Sequence, residues 1–236
     1  LAAKVRACGL KAVQLALDPI RRNEWDEVET RDALGEAEVA ILSGMMAMEG
    51  EDYSTLESIR ATGGVRPAET AERNLEAAKE NAAIAQRMGL SLVTFHAGCV
   101  PEEASDPLHE EMLSRLRDIC GAFGDEGVGV AFETGQDAPA TLIGVLDALD
   151  DLGVGVNFDP ANMLLYGSAD PIEALRQLAK WIKQAHIKDA KRSAAPGQGG
   201  EEVAAGEGEG DWPRFCEARR ERAPGVDREL ERESGE

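Results

Sequence analysis

Residues 154–167 read VGVNFDPANMLLYG, and their pattern decides the fold. Val154, Val156 and Phe158 form an apolar run that is too short for a helix and is broken by glycines, the mark of a buried strand. Asp159 follows at once, and Pro160 behind it keeps Asp159 extended and ends the strand. A carboxylate at the C-terminal mouth of a buried strand is unfavourable unless it has a partner, a metal or a catalytic task. Taken alone, an Asp-Pro pair most often caps the segment that follows it. Other strands of this chain end on a polar residue in the same way, and that repetition favours a shared site.

Toward the N-terminus, residues 1–10 (LAAKVRACGL) pattern as the end of an amphipathic helix closed by Gly9. Residues 11–17 (KAVQLAL) read as a strand running into Asp18-Pro19, so an initial strand is expected to be missing. A short helix is expected over 30–38 and a strand over 39–43. Residues 44–67, with Tyr53, Arg60, Gly63, Gly64 and Arg66, read as a long irregular segment, and such loops are usually functional or mobile. Residues 68–88 place Ala71, Leu75, Ala78, Ala82 and Ala85 at core spacing in a long helix ended by Gly89.

The next strands each deliver one polar residue. LSLVTF (90–95) leads to His96, and VGVAF (128–132) leads to Glu133. The opening strand leads to Asp159, and residues 182–185 lead to His186, with Lys188 and Asp189 just beyond. Helices are expected between them, over 108–123, 138–149 and 171–181. Strict strand–helix alternation implies a parallel sheet, either doubly wound or closed into a barrel. No GxGxxG follows the first strand, which weighs against a dinucleotide-binding sheet. In a barrel all strand C-termini open on one face, so His96, Glu133, Asp159 and His186 would share a pocket.

The chain's 236 residues are enough for one large domain, and no linker interrupts the alternation, so 1–236 reads as a single domain. A formal charge of -20 argues for no nucleic acid and no anionic membrane as partner. Cys8, Cys99, Cys120 and Cys216 form no CxxC pair, which fits reduced thiols in a cytoplasmic protein rather than a thiolate zinc site. No apolar run approaches the ~18 residues a membrane span needs. The sequence leaves open whether the protein is a homo-oligomer.

Glu133, Asp159 and His186 make a mixed oxygen and nitrogen set suited to Mn²⁺, Mg²⁺, Co²⁺ or Zn²⁺. A metal holding two adjacent sugar oxygens polarises a carbonyl and stabilises an enediolate, and a positioned carboxylate can take the proton alpha to it. Each residue also has a structural reading. His96 could be a core histidine, Glu133 a structural carboxylate and Asn162 a turn cap. Lys188 and Asp189 could form a surface ion pair worth ~0–1 kcal/mol.

Five segments occur in a telling order: HAGCVPEE (96–103), FETGQDAPATL (132–142), NFDPANMLLYGSADPIEAL (157–175), HIKDAK (186–191) and GEGEGDWPRF (206–215). Together they resemble the sugar phosphate isomerase/epimerase family, whose fold is the xylose-isomerase-like (β/α)₈ TIM barrel. The resemblance spans residues 65–215. It implies a divalent metal held by Glu133, Asp159, His186 and a second Glu from the last strand, with LERESG (230–235) offering Glu231. Glu133 and Glu231 would then be the catalytic proton-transferring pair, and His96, Asn162 and Lys188 would bind substrate. VDRE (226–229) reads poorly as a buried central strand, and ARRER (218–222) is more charged than a core-facing helix should be. The barrel is therefore expected to be incomplete at its first strand and divergent or truncated at its C-terminal end. Residues 200–212 are expected to form a flexible acidic loop over the mouth, with Trp212 and Phe215 packing the next helix on the barrel. Any phosphate would need Lys188, Arg66 or Arg192.

The resemblance implies a metal-dependent isomerase or epimerase acting on a sugar or sugar phosphate. The alternatives are a keto-cyclitol dehydratase on the same metal site, or a sugar-binding barrel without catalysis. An abasic-site endonuclease fits poorly, because a three-zinc cluster needs more histidines than His96, His109 and His186.

Overall fold

Buried apolar runs form the strands, and amphipathic segments between them form the helices that cover the sheet. The computed structural model describes residues 2–135, 137–195 and 198–232. Its strands are β1 (Ala12–Ala16), β2 (Ala40–Met45), β3 (Leu92–Phe95), β4 (Gly129–Glu133), β5 (Gly155–Phe158), β6 (Ile182–Ile187), β7 (Asp189–Lys191), β8 (Glu201–Val203) and β9 (Asp227–Leu230). Its helices are α1 (Ala2–Ala7), α2 (Asp18–Arg21), α3 (Glu27–Glu36), α4 (Leu56–Thr62), α5 (Ala71–Arg87), α6 (Pro107–Asp125), α7 (Pro139–Ala148), α8 (Pro160–Tyr166), α9 (Pro171–Leu178) and α10 (Trp212–Arg222).

Seven strands pair in parallel in the order β1-β2-β3-β4-β5-β6-β9, while β7 and β8 form a separate antiparallel ribbon. The seven-stranded sheet curls into a nearly closed barrel of the TIM type, one strand short of eight among the described residues. Side chains bridge the open seam: Ser43 Oγ on β2 donates to Glu229 Oε1 on β9 at 3.4 Å. His186 Nε2 on β6 lies 3.1 Å from Gln14 Oε1 on β1.

Alternation along each strand separates two environments. Val93, Phe95, Val130, Phe132, Val156 and Phe158 are buried in one large apolar cluster with side chains from the helices. The inner face instead carries hydrogen-bonded polar groups. Gln14 Nε2 donates to Thr94 Oγ1 at 2.9 Å, and Gln184 Nε2 donates to Asn157 Oδ1 at 3.4 Å. Buried amides and hydroxyls are tolerable only when paired in this way.

Most expected elements form within a few residues of their predicted bounds, and the departures have physical causes. Residues 44–67 are not wholly irregular: β2 runs to Met45, and Thr55 starts α4 with a reciprocal capping box to Ser58. The segment is fixed beside the mouth by a backbone crossing, where Val65 N donates to Ala97 O at 3.1 Å. Gly64 has φ +60°, and a Cβ there would lie 2.2 Å from the Ala97 carbonyl, so only glycine fits. Residues 200–212 are not simply a flexible loop either, because Glu201–Val203 forms β8 against β7.

Strand β9 does form from the charged residues that read poorly as a central strand. It is an edge strand, paired with β6 alone, so its outward residues stay in water. Glu229 points inward and is buried, whereas Leu230 is 63% exposed. Charged residues suit an unpaired edge. Residues 233–235 of the LERESG match lie outside the described residues.

Candidate metal centre

Asp159 is the N-cap of α8, and its two oxygens do different work. Oδ1 accepts from Ala161 N at 2.7 Å and Asn162 N at 3.1 Å, the usual role of a capping aspartate. Oδ2 is buried and has no hydrogen-bond partner. Thr134 locks the residue in place, since Asp159 N donates to Thr134 Oγ1 at 2.8 Å and Thr134 Oγ1 donates to Asp159 O at 3.0 Å. The capping reading of the Asp-Pro pair therefore holds for Oδ1, while Oδ2 is left for another task. Asp18-Pro19, at the end of β1, shows the contrast. Asp18 Oδ1 takes Asn81 Nδ2 and Arg21 Nε, and Oδ2 takes Ala47 N, so neither oxygen is left over.

Glu133, Asp159, His186 and Glu231 each bring one ligand atom into a set whose members all lie within 4.8 Å of one another. His186 sits inside β6 rather than past its end, with Nδ1 facing the carboxylates. From Nδ1 the distances are 2.9 Å to Glu231 Oε2, 3.5 Å to Glu133 Oε1 and 3.6 Å to Asp159 Oδ2. Even so, Nδ1 has no hydrogen-bond partner. On the other side of the ring, Nε2 meets Gln14 Oε1 at 3.1 Å and Asn157 Nδ2 at 3.0 Å. With Nε2–H donated to Gln14, a cation that replaced the ring's other proton would meet the Nδ1 lone pair, the arrangement that second-shell carbonyl groups impose on metal-binding histidines. Glu231 reaches the set because it continues the inward face of β9 that Glu229 occupies.

Three carboxylates face one buried lysine here. Lys188 Nζ stands 3.5 Å from Asp159 Oδ2 and 3.3 Å from Glu231 Oε2, and it donates to Asn162 Oδ1 at 3.3 Å. Burial pushes the Glu133 carboxyl up, but His96, His186 and Lys188 outweigh it and bring it down to about 2. Burial opposes charge on His186 too, yet Glu133, Asp159 and Glu231 raise it far above an ordinary imidazole. Glu231 is raised, mainly by burial and then by the charge of Glu133. The set thus draws positive charge inward. Two orphaned buried ligand atoms and a mixed oxygen and nitrogen donor set fit a divalent cation.

The remaining expected site residues divide. His96 lines the cleft above Glu133, with Nε2 3.8 Å from Glu133 Oε1, and its side chain is partly exposed. Asn162 is buried behind the ligands, where Nδ2 donates to Glu133 Oε1 at 3.2 Å and to Thr134 O at 3.0 Å. Lys188 and Asp189 are both buried, so they are not a surface ion pair. Successive residues, they point to opposite sides. Asp189 accepts from Gly206 N, Gly208 N, Gly210 N and Trp212 Nε1 at 2.8 to 3.1 Å, which folds the acidic glycine run around one carboxylate. Burial opposes its charge, and these donors overcome it and hold the carboxyl below its usual range. Gln14, Asn157 and Thr134 were not singled out from sequence. Their only signal was a polar residue interrupting or ending an apolar strand.

A family model described as xylose isomerase-like TIM barrel matches residues 2–235. The chain belongs to this family. No curated protein matches it in sequence. Among solved structures, this family member is similar to a xylose isomerase domain protein from Planctomyces limnophilus, with 29% identity and a TM-score of 0.89 over 95% of this chain and 81% of that one. A xylose isomerase-like TIM barrel protein from Mycobacterium smegmatis, solved in complex with magnesium, gives 19% identity and a TM-score of 0.71 over 100% and 81%. A D-allulose 3-epimerase from Methylomonas sp. gives 14% identity and a TM-score of 0.74 over 99% and 78%. At the last two identities the likeness is one of fold.

Proposed function

We propose that this xylose isomerase-like barrel is a divalent-metal-dependent sugar isomerase or epimerase. The observation that carries the reading is the convergence of Glu133, Asp159, His186 and Glu231 at the barrel mouth, with Asp159 Oδ2 and His186 Nδ1 unsatisfied. These four residues would hold the ion, and Mg²⁺ or Mn²⁺ suits their carboxylate-rich set. When bound, the ion would polarise a substrate carbonyl and offset negative charge that develops on its oxygen.

The chain's own residues would do the rest. Glu133 and Glu231 flank the set and act as the proton-transferring pair, one taking the proton alpha to the carbonyl and the other returning it. His96, in the cleft above Glu133, donates to a substrate oxygen. Lys188 adds fixed positive charge beside Asp159 and Glu231. Asn162 acts through Glu133 and Lys188, holding both in position rather than touching substrate.

The likeness to an epimerase supports the sugar class, and the magnesium complex of a second relative supports the metal. The test is solvent exchange. Protein loaded with Mg²⁺ or Mn²⁺ is incubated with ketohexoses in D₂O, and deuterium uptake at the carbon next to the carbonyl is followed by NMR. Metal-dependent uptake that Glu133→Gln abolishes is expected. Water loss in place of exchange would make the protein a dehydratase, and neither outcome with metal bound would leave a binding barrel.

A further inference from the structure

A cleft beside the candidate metal centre is lined by Glu133 and His96. Its wall residues Tyr53, Ile59 and Tyr166 also line a second cavity on the outer side. That outer groove runs between Ser54–Leu56 on one bank and residues 198–200 on the other, with Glu202 at its edge. The two spaces are therefore neighbours, with Tyr53, Ile59 and Tyr166 between them.

The chain's only two tyrosines both stand at this junction, while all five phenylalanines are buried in the core. Tyr53 is 48% exposed, and its ring lies 6.0 Å from that of His96. A flat ring with a hydroxyl at its tip suits a surface that must be apolar on its face and polar at its edge. Among the described residues, neither cavity has a lysine or arginine in its lining, and Glu51, Glu133, Asp137 and Glu202 supply carboxylates. Arg66 stays outside, held on the Cys99 carbonyl at 2.6 Å. Lys188 is buried among the carboxylates of the metal centre. A phosphate dianion would meet like charge in both spaces.

Building on the isomerase reading, we propose that the substrate is an unphosphorylated sugar carrying a second neutral ring or comparable polar substituent. The reacting sugar occupies the inner cleft, the substituent lies in the outer groove, and Tyr53 and Tyr166 flank the link between them.

Calorimetry on the Mg²⁺-loaded chain compares D-fructose, D-fructose 6-phosphate, and two disaccharides that carry a second hexose on fructose, lactulose and isomaltulose. At least one disaccharide is expected to bind ten-fold or more tightly than fructose, and the phosphate more weakly than fructose. Gly199→Phe fills the outer groove. It should bring the disaccharide down to the affinity of fructose while leaving fructose unchanged, and circular dichroism controls for folding. Ser54→Trp, from the opposite bank, serves if the first variant does not fold. Equal affinity for fructose and both disaccharides overturns the proposal, as does preference for the phosphate or no binding of any probe. Tight disaccharide binding without solvent exchange in D₂O leaves the groove standing and removes the isomerase reading instead.

Discussion

Asp159 Oδ2 and His186 Nδ1 stand 3.6 Å apart in the barrel mouth, both buried and both without a hydrogen-bond partner. Leaving such atoms unsatisfied is costly, on the order of 1–3 kcal/mol each. Around them, Thr134 holds the Asp159 backbone, Asn162 holds Glu133 and Lys188, and Gln14 meets the far side of the His186 ring. The unsatisfied pair is therefore held in place by its surroundings, as expected for ligands kept ready for an ion.

Adding Mg²⁺ or Mn²⁺ should raise the melting temperature, because a ligand at 100 times its Kd stabilises by about 2.7 kcal/mol. Asp159→Asn should keep the α8 cap, since asparagine caps as well as aspartate, and should lose most of the metal-induced rise. Asp159→Ala should also lose about 1 kcal/mol without metal. Thermal melts with and without EDTA check both. A parent protein indifferent to either metal would sink the metal centre.

Glu231 is the residue whose place depends most on the fold. Glu231→Gln should slow deuterium exchange into a responsive ketose by about 10²-fold or more, as loss of a general acid–base group does. Metal-free stability should change little, because Glu231 is the most exposed of the four candidate ligands. Unchanged exchange would remove Glu231 from the proton-transferring pair.

Asp189 collects one side-chain and several backbone donors that have no other described acceptor. Asp189→Ala should strand them and destabilise the protein by about 2–3 kcal/mol. Limited proteolysis should then cut within residues 204–210. Resistance equal to the parent's would show that the run folds without the carboxylate.

Asp137, in the cleft, is pushed up to about 7 by burial, against the pull of the Val100 amide, Arg66 and Arg60 and with the push of Glu102. Its folded pKa lies above that of the unfolded chain, so the folded protein binds more protons between those values. Stability should therefore fall as pH rises from about 4 to 7, with a slope of up to about 1.4 kcal/mol per pH unit from this group. Urea melts across that range should show the slope, and Asp137→Asn should reduce it, leaving the share of Glu229, which burial also pushes up to about 7. A slope unaffected by the substitution would assign the dependence elsewhere.

The barrel was legible because its signals are local. Apolar runs such as 128–132 and 154–158, and alanines at core spacing in α5, need no distant partner to declare a strand or a helix. Strand β9 was less legible because its residues answer to an open edge, a condition that no run of Val226, Asp227, Arg228 and Glu229 can express by itself. The ribbon of β7 and β8 was hidden for a similar reason. It forms where the chain folds back over Asp189, and glycine-rich acidic sequence reads as loop.

The sequence by itself determined the order of strands and helices and the polar residue each strand carries to the mouth. It could not tell Asp18-Pro19 from Asp159-Pro160, because both are an aspartate and a proline after an apolar strand. Tertiary structure separated them. Asn81 and Arg21 come to Asp18, whereas the inner oxygen of Asp159 meets only His186, Lys188 and other carboxylates. Which donors reach a buried carboxylate is settled by strands and helices far apart in sequence, so only the closed fold could single out Asp159 as a candidate ligand.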